Sequence, residues 1–168
     1  DRIIDALLLA DSTFIVMGFT DTMVNGVTPF VSHIDSTGSI LWFKTHNTAN
    51  NIEEKVKNIE PTLDGGYIIG GQEQQAPNSF QDLFLLKLDS AGNQQWKRNY
   101  GGPLSEVRGH VTTCFNGGYI LVGSKVTITG GVGADGDLLV VGTGAGEILA
   151  LNQSDGTLAW KSRVASEV

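Results

Sequence analysis

The chain has 168 residues, 40% of them hydrophobic, with 22 glycines against 4 prolines; this is ordinary for a folded domain and too apolar for a disordered one. A net charge of −7 leaves no basic footprint for nucleic acid, and no apolar run approaches the roughly 20 residues of a membrane-inserted helix. The lone cysteine, Cys114, excludes an internal disulfide and by itself holds no metal.

The opening, DRIIDALLLADS, lacks an initiator Met and the basic n-region of a signal peptide, as expected of a processed product or a piece of a longer polypeptide. Its apolar run from Ile3 to Asp11 suits a helix or a strand, and its place ahead of a repeat selects the strand. TFIVMGFT from Thr13 is β-branched and aromatic, the composition of a buried strand. PFVSHID alternates, Asp35-Ser36-Thr37-Gly38 supplies turn chemistry, and SILWFKT is extended again to Thr45, which makes four strands. In HNTANNIEEKVKNIEPT, Ile52, Val56 and Ile59 stand at helical spacing, so a helical turn is open over Asn50 to Lys57. Aligning Asp64 with Asp11 assigns Lys57 to Leu63 to the first strand of a second unit. The turn Asp64-Gly65-Gly66 follows, and then Tyr67–Gly71 and Leu83–Leu88 are apolar on both faces, as strands inside a packed sheet are. NQQWKRNY is mostly polar apart from Trp96 and Tyr100, which marks an outer edge. The third unit opens with HVTTCF, the turn Asn116-Gly117-Gly118 and YILVGSK. Gly123 lies 37 residues before Trp160, whereas Gly71 lies 25 before Trp96, so residues 124–137, centred on TITGGVGADGD, read as an inserted glycine-rich loop. DLLVVGTGAGEILALNQSDGTLAWKSRV adds three strands; the third unit holds five, or the last three form a separate blade.

Phe14 to Tyr67 is 53 residues and Tyr67 to Tyr119 is 52, a fixed period that marks stacked supersecondary units. Four short strands per period, with Trp on the last, describe an all-β fold of β-propeller blades, each of four antiparallel strands, better than a sandwich or barrel. Blade 1 spans about 1–52, blade 2 about 53–104 and blade 3, with its insertion, about 105–168, together one repeat domain. Three blades form a partial propeller, fewer than the roughly four to eight of closed ones. Its flanks are therefore expected to be bare and to need further blades of the same polypeptide or identical copies, in a ring or filament, as partners.

DGGYIIGG followed by DLFLLKLDSAGNQQWKRNYGG resembles the repeated blades of secreted bacterial and archaeal propellers, with their DGGY turn, KLD strand and GN turn before Trp. The likeness is close over Thr62 to Gly102 and partial over Asn116 to Gly123, and the first unit departs from it with Asp11-Ser12-Thr13 in place of the double glycine. The final GTGAGEILALNQSDGTLAWK looks more like the repeat of quinoprotein-type propellers. The resemblance implies an extracellular or cell-surface setting. It also implies a non-enzymatic structural or interaction module, with a fragment of a quinone-dependent dehydrogenase as the alternative.

No residues stand out as catalytic, cofactor-binding or metal-ligating. Trp42, Trp96 and Trp160, one per blade, read as packing between adjacent sheets, and Gly65, Gly66, Gly117 and Gly118 as turn residues. His33, His46 and His110 have no metal spacing and read as surface or turn positions. Asp35, Asp64, Asp89 and Asp155 sit where a carboxylate accepts backbone N–H groups of its own turn. Gly133 to Asp137, GADGD, carries too few oxygen donors for a calcium loop. The glycine-rich runs lack the Lys-Ser or Lys-Thr of a phosphate loop and the helix that dinucleotide binding requires. No cofactor is expected.

Overall fold

Glycine turns and apolar runs assemble here into three antiparallel meanders. The computed structural model describes residues 2–22, 26–46, 54–74, 80–101, 105–115, 117–129, 132–142, 147–152 and 158–163, beyond Ser124 by their backbone alone apart from Lys161. The first sheet holds β1 (Arg2–Leu8), β2 (Phe14–Thr22), β3 (Gly26–Ile34) and β4 (Ile40–Thr45). The second holds β5 (Glu54–Pro61), β6 (Tyr67–Gln74), β7 (Gln81–Leu88) and β8 (Gln94–Tyr100). The third holds β9 (Ser105–Thr113), β10 (Tyr119–Thr129), β11 (Val132–Gly142), β12 (Glu147–Asn152) and β13 (Leu158–Arg163). Within each sheet the spatial order is the chain order, so the fold is all-β and its sheets are blades of a partial propeller.

One turn is used repeatedly. Thr62 N–H donates to Gly66 C=O at 3.0 Å and Gly65 N–H to Thr62 C=O at 3.0 Å; the same two bonds close Leu9–Thr13, Asp35–Ser39, Asp89–Asn93 and Cys114–Gly118. This is a tight turn followed by one left-handed residue, which matches the strand twist. Gly65, Gly117, Gly38 and Gly92 fill that place at φ of 79°, 82°, 89° and 76°. In the first turn of blade 1 the residue is Ser12, at φ 65°, where a Cβ is strained. The aspartates act as their positions suggest: Asp35 accepts from Thr37 N–H and Ser39 N–H at 2.8 Å each, Asp89 from Asn93 N–H at 2.8 Å, and Asp64 from Gly66 N–H at 3.1 Å. Asp155 lies outside the described residues.

Two expectations are corrected. The stretch open to a helical turn is strand from Glu54 on, because Lys55 and Val56 pair with Gln72 and Gly71; three apolar residues at helical spacing cannot outweigh a sheet edge awaiting a partner. Residues 50–53 lie outside the described residues. The insertion is not a loop but a hairpin: β10 and β11 pair without a register shift from Ile120↔Val141 to Thr129↔Val132. Pairing the inserted residues with one another satisfies backbone groups that a loop would leave to water, and the β-branched VTIT suits it.

The middle blade is buried on both sides. Tyr67, Ile69, Phe84, Leu86 and Leu88 meet Ile15, Met17 and Val31 of blade 1, with Val56 and Ile59 in the same cluster. Ile68, Leu83, Leu85 and Tyr100 meet Val111 and Leu121 of blade 3. Strand alternation sends odd and even residues to opposite neighbours, so both sets are apolar.

The Ser12→Gly variant is expected to unfold with a free energy about 1 kcal/mol higher than the natural chain, since it removes the left-handed Cβ penalty at the one of these five described turns whose left-handed residue is not glycine. Urea denaturation measures it, and Gly65→Ala is expected to move the midpoint the other way.

Candidate interaction surfaces

The blades meet through their first strands, and a repeated irregularity prepares the meeting. β1 slips register between Ile3 and Asp5, β5 between Val56 and Asn58, and β9 opposite Val122 and Ser124. Such a bulge re-aims the residues beside it. Asp5 accepts the N–H of Ile59 on the next blade at 3.1 Å. Asn58, the equivalent residue of blade 2, accepts the N–H of Val111 at 2.8 Å and donates to the Val111 C=O at 2.6 Å. One side chain per blade thus satisfies backbone of the following blade. His110 stands at the matching point of β9 and is exposed. Glycines allow the approach: a Cβ on Gly70 would lie 2.7 Å from the Gly109 carbonyl oxygen, and one on Gly109 would lie 2.3 Å from that of Gly71. None of these bonds was legible in advance. The signal was a polar Asp5 or Asn58 inside an otherwise strand-like run.

Among the described residues no blade packs against the other face of blade 1. Cross-strand rows place Leu8, Phe14, Ile34 and Ile40 side by side, and Ile3, Gly18 and Phe30 in a second row. Leu8 is 70% exposed, Ile3 67%, Ile40 63% and Phe43 50%. Phe43 stacks on Phe30 with centroids 5.2 Å apart, and Phe30 in turn fills the space over Gly18. The equivalent face of blade 2, where Phe84 covers Gly71, lies buried against blade 1.

Of the residues singled out in the sequence, Trp42 and Trp96 lie at seams between blades and the glycines in turns. The Trp42 ring lies where a Cβ on Gly92 of blade 2 would stand, 2.6 Å from its nearest atom. Trp96 is half-buried beside the second core, with its ring 6.1 Å from that of Tyr119. The side chain of Trp160 lies outside the described residues. A Cβ on Gly66 would meet the Leu88 carbonyl at 2.2 Å and the Lys87 ammonium at 2.7 Å. The buried Lys87 reaches the Asp64 carboxylate at 2.9 Å, and the Thr62 hydroxyl followed by Lys87 holds Asp64 well below the usual carboxylate range. Gly118 accepts the Cys114 N–H at 2.8 Å. Among the described residues no three His, Cys, Asp or Glu side chains converge to hold a metal, and Gly133 to Asp137 are strand.

His46 corrects another expectation. It is buried, its N–H bonded to Pro29 C=O at 2.9 Å. Burial, then Lys44 and Lys97, holds its imidazole at about 4, below the ordinary 6.5. His33 is half-buried, its Nε2 2.6 Å from the Thr13 hydroxyl.

A protein family described as outer membrane protein assembly factor BamB matches residues 88–168, from the end of β7 through blade 3. A protein named outer membrane protein assembly factor BamB, from Xanthomonas campestris pv. campestris, is 46% identical over 44 residues, which cover 26% of this chain and 11% of the relative. The likeness is thus to a repeat-bearing propeller family and spans about a tenth of that relative. No described helix is long and apolar enough to cross a membrane.

Replacing Asn58 with Ala strands the Val111 N–H and C=O in a half-buried seam and is expected to cost about 1–3 kcal/mol; Asn58→Asp, which keeps the acceptor as Asp5 does, is expected to cost less, and chemical denaturation ranks the two. For His46, the unfolded chain takes up the proton first, so the stability of the neutral ring is present above pH 6.5 and declines as pH falls towards about 4. Thermal melts across that window are expected to fall less steeply for His46→Gln than for the natural chain.

Proposed function

We propose that this chain is a non-enzymatic protein-interaction module of the cell envelope, a partial propeller whose bare first-blade face is its docking surface. The observation that carries this is the contrast between equivalent faces: the face of blade 2 that begins at Tyr67 is buried under blade 1, while that of blade 1, beginning at Phe14, presents exposed Ile3, Leu8, Ile40 and Phe43. An apolar patch of that extent on a soluble protein marks a surface that something else covers. The equivalence also says what kind of thing fits, namely another blade, from the same polypeptide or from an identical copy. The relative's name, an outer membrane protein assembly factor, supports an assembly role and an envelope setting. The DGGY, KLD and GN signatures of secreted propellers support the setting too.

Light scattering on the 168-residue chain tests the reading. The natural chain is expected to self-associate, and the Leu8→Glu/Phe43→Glu variant to be a monodisperse monomer with an unchanged β spectrum. A natural chain that is already a monodisperse, cooperatively unfolding monomer would overturn it.

A further inference from the structure

The first strands lie in the order β1, β5, β9 where the blades converge, and beside Glu54 and Glu106 they carry four basic residues of an acidic chain. Arg2 begins β1 and Lys55 follows it at the repeat distance in β5. Lys57 sits in the bulge between Val56 and Asn58, and Arg108 in that of β9 at φ 64°. The bulges take these two residues out of the regular in-and-out alternation. Lys57 feels all the others: its ammonium is held below the usual lysine range by burial first, and then by Lys55, Arg108 and Arg2. A chain with 11 basic residues and a net charge of −7 has thus set Arg2, Lys55 and Lys57 around one cavity, with Arg108 adding to the field at Lys57. Mutual repulsion of that kind destabilises a fold, and it is the arrangement that focuses anions.

A cavity of about 170 Å³ opens among them, lined by Arg2, Lys55, Lys57, Ile4, Phe19 and Val56. The Arg2 guanidinium lies 5.9 Å from the centre of the Phe19 ring. The volume falls below the roughly 300–1,000 Å³ of pockets for drug-sized ligands, so the cavity takes one anionic group and a short apolar stem. A free inorganic ion uses the cations and leaves Ile4, Val56 and Phe19 dry and unmatched. A glutamate or aspartate side chain on a peptide uses both walls, with the carboxylate hydrogen-bonded by charged donors.

We infer that this cleft receives an acidic segment of a partner protein, one carboxylate seated between Arg2 and Lys57 in a field to which Arg108 contributes, and its methylene stem against Ile4, Val56 and Phe19. The inference rests on the interaction-module reading and names the chemistry of a partner, but it uses a surface separate from the bare face of blade 1.

Fluorescence anisotropy with a labelled hexaglutamate peptide and the full chain tests it. The expected result is binding that weakens as salt rises and falls about tenfold or more in the Lys57→Gln/Arg108→Gln variant, with Lys57→Arg retaining it. The double variant is expected to melt no lower than the natural chain, because it relieves repulsion. The inference is overturned if hexaglutamate does not bind, if the double variant binds it equally well, or if inorganic phosphate binds as tightly as the peptide. Repeating the titration on Leu8→Glu/Phe43→Glu keeps the two readings apart. Peptide binding without self-association in the natural chain overturns the docking face alone, and self-association without peptide binding overturns the cleft alone.

Discussion

Burying both faces of the β5–β8 sheet requires its neighbours to come close without stranding a polar backbone group, and most of the structure serves that requirement. On one side Phe84 fills the space over Gly71 and packs with Ile15, Met17 and Val31. On the other side there is no room for a side chain at Gly70 or Gly109, so backbone approaches backbone. The polar groups exposed by that approach are taken up by Asn58, which serves both the N–H and the C=O of Val111. Apolar burial supplies the driving force, and the repeated Asp5 and Asn58 bonds set the register in which it acts.

The same economy governs charge. Glu73 is buried at 4% exposure, yet it accepts from both the Lys97 ammonium and the Asn99 amide, and Lys97 lies 4.6 Å over the Phe84 ring. Asp82, close by, has its carboxyl pushed up by burial and then by Glu73. A buried carboxylate that lost its cation would be strongly destabilising, so the polar outer strand β8 has a structural task beyond discouraging edge pairing. At the inner edge Lys57 stands in the field of Lys55, Arg108 and Arg2, which suits that edge to an anion.

Blade 1 shows what a blade is before it is covered. Its Phe30 and Gly18 repeat the fit of Phe84 and Gly71, and its aromatic and aliphatic rows are in place. What differs is the absence, among the described residues, of a preceding blade packed against them as blade 1 packs against blade 2. The apolar face is therefore a property of the repeat itself, and its exposure a property of its position in the array.

The sequence by itself determined the all-β class, the period, and the glycine turns. Local chemistry suffices for these: glycine is tolerated at positive φ, aspartate binds its own turn, and alternating or doubly apolar runs have few other homes. Only the tertiary structure decided the rest. Between five strands in the last unit and a separate blade of three, the pairing of β11 with both β10 and β12 decided for one five-stranded sheet. Residues 124–137 became a hairpin because their backbone found partners in each other, which composition cannot reveal. His46 became a buried neutral ring because packing removed its imidazole from water beside Lys44 and Lys97, the latter distant in sequence. Lys57 and Arg108 left the regular in-and-out alternation because each sits in a bulge of its strand. Each of these depends on contacts between residues far apart in the chain, and a period or a turn motif carries no information about which of its side chains will meet.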